Sequence, residues 1–429
     1  MAIFFPRLCL VIPLALVFCT SAVTASRASD PHLHNDYALK LIEQGEYEKG
    51  LEQLQKAASL QPYDQTLRKN LAEAYTYVGL RQMERKLYDS AAENFDHARE
   101  LFPDAPRYAI LRGIALHGAK RYEGAIFELE RAVSLGGDSP ELYYHLGKAY
   151  YDSDNLPRAL EMWDKALTLD PANAAVRDLA DKTRRELALE PRMDRGYSSR
   201  FALTYDTEFK SKLAGEILDV LETAYNRVGT DLGYFPEARV QVLLYTKKDY
   251  RALTDSPDWS GGLYDGKIRI PIGGATQLTP LLRSVLVHEY THVVVFELAK
   301  GNCPTWLNEG LAELEGRKEL NPPMAELGRA AKQGSFIPFT SLEGPFSSLS
   351  GRQVSLAYQQ SYSLANYMAA SYGLHKVQDI LRLLGAGISI AEAIRQGLAD
   401  YGLDYPGLVE EWRRYMAKEF GGGGSMSSP

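Results

Sequence analysis

Small and apolar residues recur at a fixed spacing between residues 33 and 171 of the chain. Four segments end in similar sequences, and from the second of these ends onward the period is 34 residues. Alanine always lies five positions before the end of a segment, and a small residue lies twelve positions before it. These positions are Gly50, Ala57, Ala91, Ala98, Ala125, Ala132, Ala159 and Ala166. The pattern predicts pairs of antiparallel helices that approach closely where the small residues lie.

Together with tyrosines fifteen positions before three of the segment ends, these residues resemble the tetratricopeptide repeat family. The resemblance implies an all-α solenoid of about four repeats over 33–190, whose groove binds a peptide or protein partner. A scaffold or dimerisation arm is the alternative. The second repeat carries about seven extra residues before Tyr88, which is two helical turns, so we expect both of its helices to be longer. The segment 173–190, apolar on one face and charged on the other, predicts a helix that caps the solenoid.

The pattern changes after residue 190. The stretch 191–199 contains Gly196 and two serines and is predicted to be a linker. A second domain is predicted over 200–420. The glycine- and serine-rich end at 421–429 predicts a flexible tail.

The second domain mixes strand-like and helical patterns. Alternating apolar residues predict strands at 200–205 and 239–245, and a hairpin over 259–272 that turns at Asp265 and Gly266. Helical periodicity covers 208–232 and most of the chain from about 350 to 420. Pro280 is expected at the first turn of a further helix, where a proline costs no hydrogen bond.

Charge and cysteine content narrow the class of protein. The formal net charge is −7, the pI is near 5.7 and no run of Lys or Arg stands out, so nucleic-acid binding is not expected. Residues 1–25 predict an export signal, because Arg7 precedes an apolar run and small residues follow up to Ala25. An uncleaved segment that anchors the chain in a membrane is the alternative. Cys303 is then the sole cysteine of the mature chain, so no internal disulfide can form. We expect an exported protein of the bacterial periplasm, with membrane-anchored or secreted forms as alternatives.

A polar motif interrupts an otherwise apolar helical segment. His288 and His292 are four residues apart, so their side chains lie on one helix face and can hold one metal ion. Glu289 then faces a water molecule on that metal. Glu309 follows on a second apolar helix and is placed to be a third ligand, and Glu313 lies one turn further on the same face. The alternative for the histidines is a pair of core residues without metal.

The sequence around this motif resembles the gluzincin metallopeptidases, in particular the peptidase MA-like domains of bacteria. The resemblance rests on HEYTH at 288–292 followed by PTWLNEGLAE at 304–313. It implies Zn²⁺ held by His288, His292 and Glu309, with Glu289 as catalytic base and proton shuttle. We expect Glu313 to orient a coordinating imidazole, with a solvated helix face as the alternative. The expected fold class is multidomain: an all-α tetratricopeptide solenoid plus an α+β thermolysin-like (gluzincin) metallopeptidase domain.

The same resemblance implies a tyrosine on a later helix that stabilises the oxyanion. The segment that begins at Tyr358 and ends at Tyr367 fits the aminopeptidase pattern, so Tyr358 is expected in that role. Tyr362 is the rival, and a core tyrosine is the alternative reading for Tyr358. Two further residues are weaker candidates for the metal centre. Cys303 is expected to be a packed residue rather than a ligand, and His375 a surface histidine rather than an oxyanion donor.

The substrate class is predicted from a departure from the family. The aminopeptidase branch has a glutamate that holds the amino terminus of the substrate, and the comparable strand here reads GKIRIP without an acid. We therefore expect an internal substrate segment to add as a strand along Lys267, Ile268, Arg269 and Ile270, with an ordinary hairpin edge as the alternative. The expected function is an exported zinc endopeptidase whose repeats recruit a protein or peptide. The alternative is a non-catalytic tetratricopeptide adaptor in cell-envelope assembly with a peptidase-like domain.

Overall fold

The computed structural model describes residues 30–209, 211–254, 262–272, 275–346, 349 and 351–421. The chain divides into two compact units, and the boundary falls between Arg177 and Asp178. The expected export signal at 1–25 lies outside the described residues, as does the expected tail at 421–429 except for Gly421, which ends the last helix. Among the helices of the described part, none is long and apolar enough to cross a membrane.

The first unit consists of helices at the predicted repeat spacing. They are α1 (Pro31–Glu43), α2 (Tyr47–Leu60), α3 (Gln65–Glu84), α4 (Tyr88–Leu101), α5 (Pro106–Gly118), α6 (Tyr122–Ser134), α7 (Pro140–Asp152) and α8 (Leu156–Leu169). The seven alanines of the repeat pattern are at most 1% exposed. Gly79 lies against the ring of Phe95, and Gly147 lies against that of Trp163, in space that a Cβ atom would occupy. Small residues therefore set the close approach within each helix pair, as predicted.

The long second repeat is extended in one helix only. α3 has 20 residues, whereas α1, α5 and α7 have 13 each. α4 has 14 residues, the same number as α2 and α8. The prediction that both helices would be longer is therefore wrong. Because seven residues make nearly two whole turns, the insertion leaves Gly79 facing Phe95.

The boundary between the units falls within a helix rather than at the predicted linker. α9 (Ala174–Leu187) occupies the stretch expected to cap the solenoid, and most of it belongs to the second unit. A 3₁₀ turn (Glu190–Arg192) and strand β1 (Met193–Tyr197) fill most of 191–199. The linker prediction is therefore wrong. Gly196 lies within β1, directly across from Leu203 of β2, so here the glycine belongs to a paired strand and not to a flexible segment.

A small sheet and a set of helices complete the second unit. They are β2 (Phe201–Asp206), α10 (Ser211–Leu232), β3 (Val240–Tyr245), α11 (Lys247–Leu253), β4 (Leu263–Tyr264), β5 (Ile268–Pro271), α12 (Pro280–Leu298), α13 (Thr305–Gly316), α14 (Ala325–Gln333), α15 (Arg352–Tyr372), α16 (Leu374–Gly385), α17 (Ile390–Gly397) and α18 (Tyr405–Gly421), with 3₁₀ turns at Phe339–Leu342 and Ala399–Tyr401. Strands β2 and β3 each begin one residue later than predicted. Pro280 is the first residue of α12, as predicted.

The sheet has the order β1-β2-β3-β5-β4. β2, β3 and β5 are parallel to one another, and β1 and β4 are antiparallel strands at its two ends. Alternate residues of β3 face opposite sides. Val242 and Leu244 belong to the main core, which also contains residues of α10 and α12. Leu243 and Tyr245 belong to a smaller cluster with α11 on the other face.

The sheet order contradicts the predicted substrate strand. β5 pairs with β3 on one side and with β4 on the other, so it has no edge to which a further strand could add. The four residues expected to contact substrate, Lys267, Ile268, Arg269 and Ile270, are at most 3% exposed. The alternative of an ordinary hairpin edge also fails for β5. The edge strand on this side of the sheet is β4, with Leu263 and Tyr264.

Candidate metal centre

The predicted histidine pair lies on one face of α12. Thr279 caps the helix by accepting a hydrogen bond from the backbone N–H of Leu282 at 3.1 Å, so the helix start is fixed two turns before the motif. The imidazole rings of His288 and His292 have centroids 4.8 Å apart. One ligand atom from each of these histidines and from Glu289 lies within 4.8 Å of the others. The helix therefore presents two imidazoles and one carboxylate to a common point.

The second helix of the motif, α13, brings Glu309 to the same point. Its Oε2 atom lies 3.4 Å from Nε2 of His288 and 3.6 Å from Nε2 of His292. The residue after it allows this position, because a Cβ atom at Gly310 would lie 2.5 Å from the carbonyl oxygen of Ser361 on α15. Only glycine lets α13 approach α15 this closely. The three predicted ligands are thus brought together by the packing of α13 between α12 and α15.

Further polar residues contact the Nδ1 atoms of the two imidazoles. Nδ1 of His292 lies 3.0 Å from Oδ1 of Asn308, and Nδ1 of His288 lies 3.6 Å from Oε1 of Glu313. Glu313, which is predicted to orient a coordinating imidazole, thus lies beside one. Asn308 was missed, although its place directly before a predicted ligand is a usable signal, since adjacent residues on a helix can reach neighbouring atoms of one site.

Glu313 is itself fixed by a cation. Nε of Arg317 donates to Oε2 of Glu313 at 2.9 Å, and the guanidinium lies 4.4 Å from the centre of the Tyr362 ring. The predicted rival for the oxyanion role, Tyr362, therefore packs beneath this arginine. A chain of contacts runs from Tyr362 through Arg317 and Glu313 to His288.

Burial and charge act in opposite directions on the titratable groups of the centre. Burial by itself would lower the pKa of His288, but the Glu309 carboxylate at 3.4 Å and the neighbouring carboxylates raise it to about 9. Burial raises the pKa of Glu289 and outweighs the two histidines beside it. For Glu309 burial also acts upward, but His292 and His288 prevail and lower its pKa. Glu309 is therefore the carboxylate held as an anion, and Glu289 the one inclined to accept a proton.

These residues line a cleft of about 870 Å³ in the second unit. Tyr358 lies in its wall on α15, with its ring edge-on to Phe346 at a centroid distance of 5.3 Å. Burial, with the carboxylates Glu309, Glu289 and Glu313 acting in the same direction, raises the pKa of Tyr358, so its phenol stays protonated. The predicted oxyanion donor thus shares the cleft with the metal-binding residues.

Apolar side chains extend the cleft on both sides of the histidines. Leu281 and Val285 lie before them on α12 and Phe296 lies after them. Phe296 is 49% exposed, although it follows a run of buried apolar residues in α12. It packs edge-on against Tyr264 of β4, with ring centroids 5.7 Å apart. The exposed apolar residues of this helix are therefore part of the cleft wall.

The two weaker candidates lie apart from these contacts. Cys303 packs against the main hydrophobic core, and burial raises the pKa of its thiol. This agrees with the prediction of a packed residue. His375 lies near the start of α16, where its ring fills the space beside Gly373.

The donor set fits a divalent metal. Oδ1 of Asn308 accepts from Nδ1–H of His292, so in the neutral imidazole Nε2 carries a lone pair. That lone pair faces Oε2 of Glu309, which is buried and has no hydrogen-bond partner among the described residues. A divalent cation between them would satisfy two acceptors that face each other in a buried site. Two imidazole nitrogens and one carboxylate oxygen are the ligand set of catalytic zinc, which leaves a fourth position for water or substrate.

The family comparisons agree with both parts of this description. Residues 222–418 match the Peptidase MA superfamily. Residues 113–154 match a TPR repeat, and residues 140–173 match a tetratricopeptide repeat. The chain therefore combines tetratricopeptide repeats with a Peptidase MA superfamily domain, which confirms the predicted families and fold class.

Individual relatives match the repeats. The small glutamine-rich tetratricopeptide repeat-containing protein 2 of Mycosarcoma maydis is 29% identical over 116 residues, which is 27% of this chain and 32% of that protein. The chain thus matches only about a third of the length of this curated relative. MamA 41-end from Desulfovibrio magneticus RS-1 is 23% identical, with a TM-score of 0.31 over 37% of this chain and 85% of that one. The Sgt2 TPR domain from Aspergillus fumigatus is 21% identical, with a TM-score of 0.28 over 30% of this chain and 86% of that one.

Proposed function

We propose that the chain is a zinc-dependent metallopeptidase that hydrolyses peptide bonds within polypeptides. The observation that carries the proposal is the meeting of His288, His292 and Glu309 in one buried site, with Glu289 beside them in an open cleft. A zinc ion held by the first three residues would supply Lewis-acid polarisation of the substrate carbonyl and of water.

The remaining steps fall to side chains of the cleft. Glu289 takes a proton from the attacking water and returns it to the leaving amine, and its raised pKa suits a carboxylate that must hold that proton between the two transfers. Tyr358 keeps its phenolic proton, so its O–H group donates a hydrogen bond to the oxyanion. Asn308 and Glu313 hold the imidazoles in orientation, which maintains the ligand geometry.

The length of the cleft supports an extended internal segment as the substrate. The stretch of α12 from Leu281 to Phe296 that lines the cleft is about 22 Å long at 1.5 Å per residue, enough for roughly six residues of extended chain. The histidines lie near the middle of this length. We propose that substrate adds as a strand to β4, which is the sheet edge beside the cleft. This replaces the alignment along β5.

The repeats and the export signal complete the proposal. The match to tetratricopeptide repeats supports a role for the first unit in binding a protein partner or substrate. The apolar pattern of residues 1–25 supports export to a bacterial periplasm. Cleavage of the signal and the compartment are tested by fractionation and by the mass of the mature chain.

The variant Glu289→Gln tests the enzymatic proposal. It should keep one zinc per chain, because Glu289 is not among the proposed ligands, and it should lose cleavage, because an amide cannot accept the proton. Metal content, peptide hydrolysis and the proteins trapped on the variant are measured together. Cleavage retained in this variant would refute the mechanism. A wild-type chain that purifies without metal and is indifferent to chelators would favour the non-catalytic adaptor.

A further inference from the structure

A buried group of charges lies on the sheet face opposite the main core. Arg269 of β5 is 0% exposed, and its Nη2 atom lies 3.1 Å from Oε1 of Glu186 on α9. Its Nε atom lies 3.1 Å from Oδ1 of Asp265, and Nη1 donates to the hydroxyl of Tyr245 at 2.9 Å. Nζ of Lys182 lies 2.6 Å from Oδ2 of Asp265. We refer to these five residues as the Arg269 cluster.

The Arg269 cluster ties α9 to the β4–β5 hairpin at two points. Asp265 is the first residue of the hairpin turn, beside Gly266 with its positive φ of 101°. Arg269 lies on β5 directly across from Leu263 of β4. The helix therefore holds both the turn and the strand that pairs with the sheet edge.

The edge strand held in this way forms part of the cleft. Gly262, the residue directly before β4, lies against the carboxylate of Glu289 so closely that a Cβ atom would be 2.5 Å from Oε1. Tyr264 contacts the ring of Phe296 on α12. A shift of β4 would thus move the edge on which substrate is proposed to pair.

The energetics favour a positioning role over a purely stabilising one. A buried ion pair commonly adds little stability beyond that of apolar residues of the same shape, although removing one partner is costly. What such a pair does fix is register. A slip of one residue between β4 and β5 would turn Leu263 and Tyr264 to the opposite faces of the sheet. With its turn held by Lys182 and its β5 arm held by Glu186, the hairpin has one register that satisfies both contacts.

We propose that the Arg269 cluster positions the edge strand β4 for substrate binding, with Glu186 and Lys182 of α9 as positioning residues. The inference rests on the proposed peptidase function. It predicts that α9 controls the affinity of the cleft for extended substrates without touching substrate, metal or Glu289.

The test is Glu186→Gln in the full chain, with hydrogen exchange, kinetics and bound zinc measured on one preparation. We expect amide exchange in residues 262–272 to become about tenfold faster or more, because the hairpin loses its anchor. KM for an extended peptide should rise about tenfold while kcat changes little, because binding of ground state and transition state is weakened alike. Bound zinc should remain at one per chain. Lys182→Gln, which leaves Arg269 paired with Glu186, should shift the same quantities less.

A matched control lies on the same helix. Asp181 forms an exposed ion pair with Arg184 at 2.7 Å, so Asp181→Asn removes a carboxylate of α9 outside the cluster and should leave every measured quantity unchanged. If hairpin exchange and KM stay at wild-type values in Glu186→Gln, the inference is overturned. Exchange that rises uniformly through the second unit would also overturn it, since the cluster would then only stabilise the fold. If Glu186→Gln does not fold, Lys182→Gln decides by the same criteria.

Failure of the proposed function would look different. A wild-type chain that cleaves no peptide removes the enzymatic proposal, whereas the exchange measurement still shows whether α9 anchors the hairpin. A wild-type chain that cleaves peptides, with a hairpin insensitive to Glu186→Gln and Lys182→Gln, removes the positioning role and leaves the enzyme.

Discussion

The substitution Gly262→Ala should separate catalysis from folding. A Cβ atom at this position would lie 2.5 Å from Oε1, 2.6 Å from Cδ and 2.7 Å from Cγ of Glu289. Ordinary contacts begin at 3.4 Å, so the carboxylate must move by about 1 Å. A displacement of that size in a reacting group can lower the rate about 100-fold. We therefore expect kcat/KM to fall about 100-fold in this variant.

The cost in stability should be small by comparison. The atoms that must move are the end of a flexible side chain, which can reach another rotamer, so the free energy of unfolding should fall by only about 1 kcal/mol. The proposed zinc ligands lie on other residues, and the metal content should not change. Steady-state hydrolysis, urea unfolding and zinc analysis on one preparation give the three quantities.

A second glycine provides the control. Gly215 on α10 is exposed, and a methyl group added there would meet no atom within 4 Å, so Gly215→Ala should leave kcat/KM unchanged. It should stabilise the chain by about 1 kcal/mol, because alanine is the better helix former. Wild-type kcat/KM in a zinc-loaded Gly262→Ala chain would refute the reasoning. It would mean either that Glu289 is not the base or that β4 does not lie against it during the reaction.

Three further outcomes are expected. Tyr358→Phe should lower kcat about 10²–10³-fold with zinc retained, because only the oxyanion donor is removed. Steady-state kinetics and metal analysis check this, and an unchanged kcat would contradict it. Asn308→Ala should weaken zinc binding about 10–100-fold in chelator competition, because His292 loses its hydrogen-bond acceptor. A zinc affinity equal to that of the wild type would contradict this role of Asn308. In the repeat unit, burial, with His117 and Lys148, lowers the pKa of His145 to about 4. Below pH 6.5 the unfolded chain therefore binds a proton at His145 that the folded chain does not. The free energy of unfolding should fall as the pH is lowered from 6.5 to about 4, by ~3 kcal/mol in total. Urea unfolding across this range should show the loss in wild type and a flatter profile in His145→Gln.

Much of the centre was predictable because helical spacing is local. His288 and His292 lie on one face by geometry alone, and so do Glu309 and Glu313. The structure adds the packing that brings the two helices together, including the close approach at Gly310. The repeat array was predictable for the same reason, since each helix pair contacts its neighbours in sequence.

Strand order and its consequences were not predictable in this way. For the described residues 262–272 the pattern correctly indicated a hairpin and its turn, but it could not show which arm lies at the edge of the sheet. That depends on the pairing of β5 with β3, which is distant in sequence. The substrate strand was consequently assigned to the wrong arm. The contact of Gly262 with Glu289 was missed for the same reason, because it joins a strand to a helix that follows it.

The charges of α9 show how the domain boundary came to be misplaced. A helix with one apolar and one charged face was interpreted as the cap of the solenoid. Glu186 is nevertheless buried, because its partner is a charge in a strand that otherwise has the pattern of a core strand. Arg269 lies between two isoleucines in β5. Because an unpaired buried charge is costly, its guanidinium needs a carboxylate partner. An arginine in a buried strand therefore predicts an acidic partner on the element that covers that face, and α9 supplies it. On this argument α9 belongs with the cleft, and its position determines where the edge strand lies.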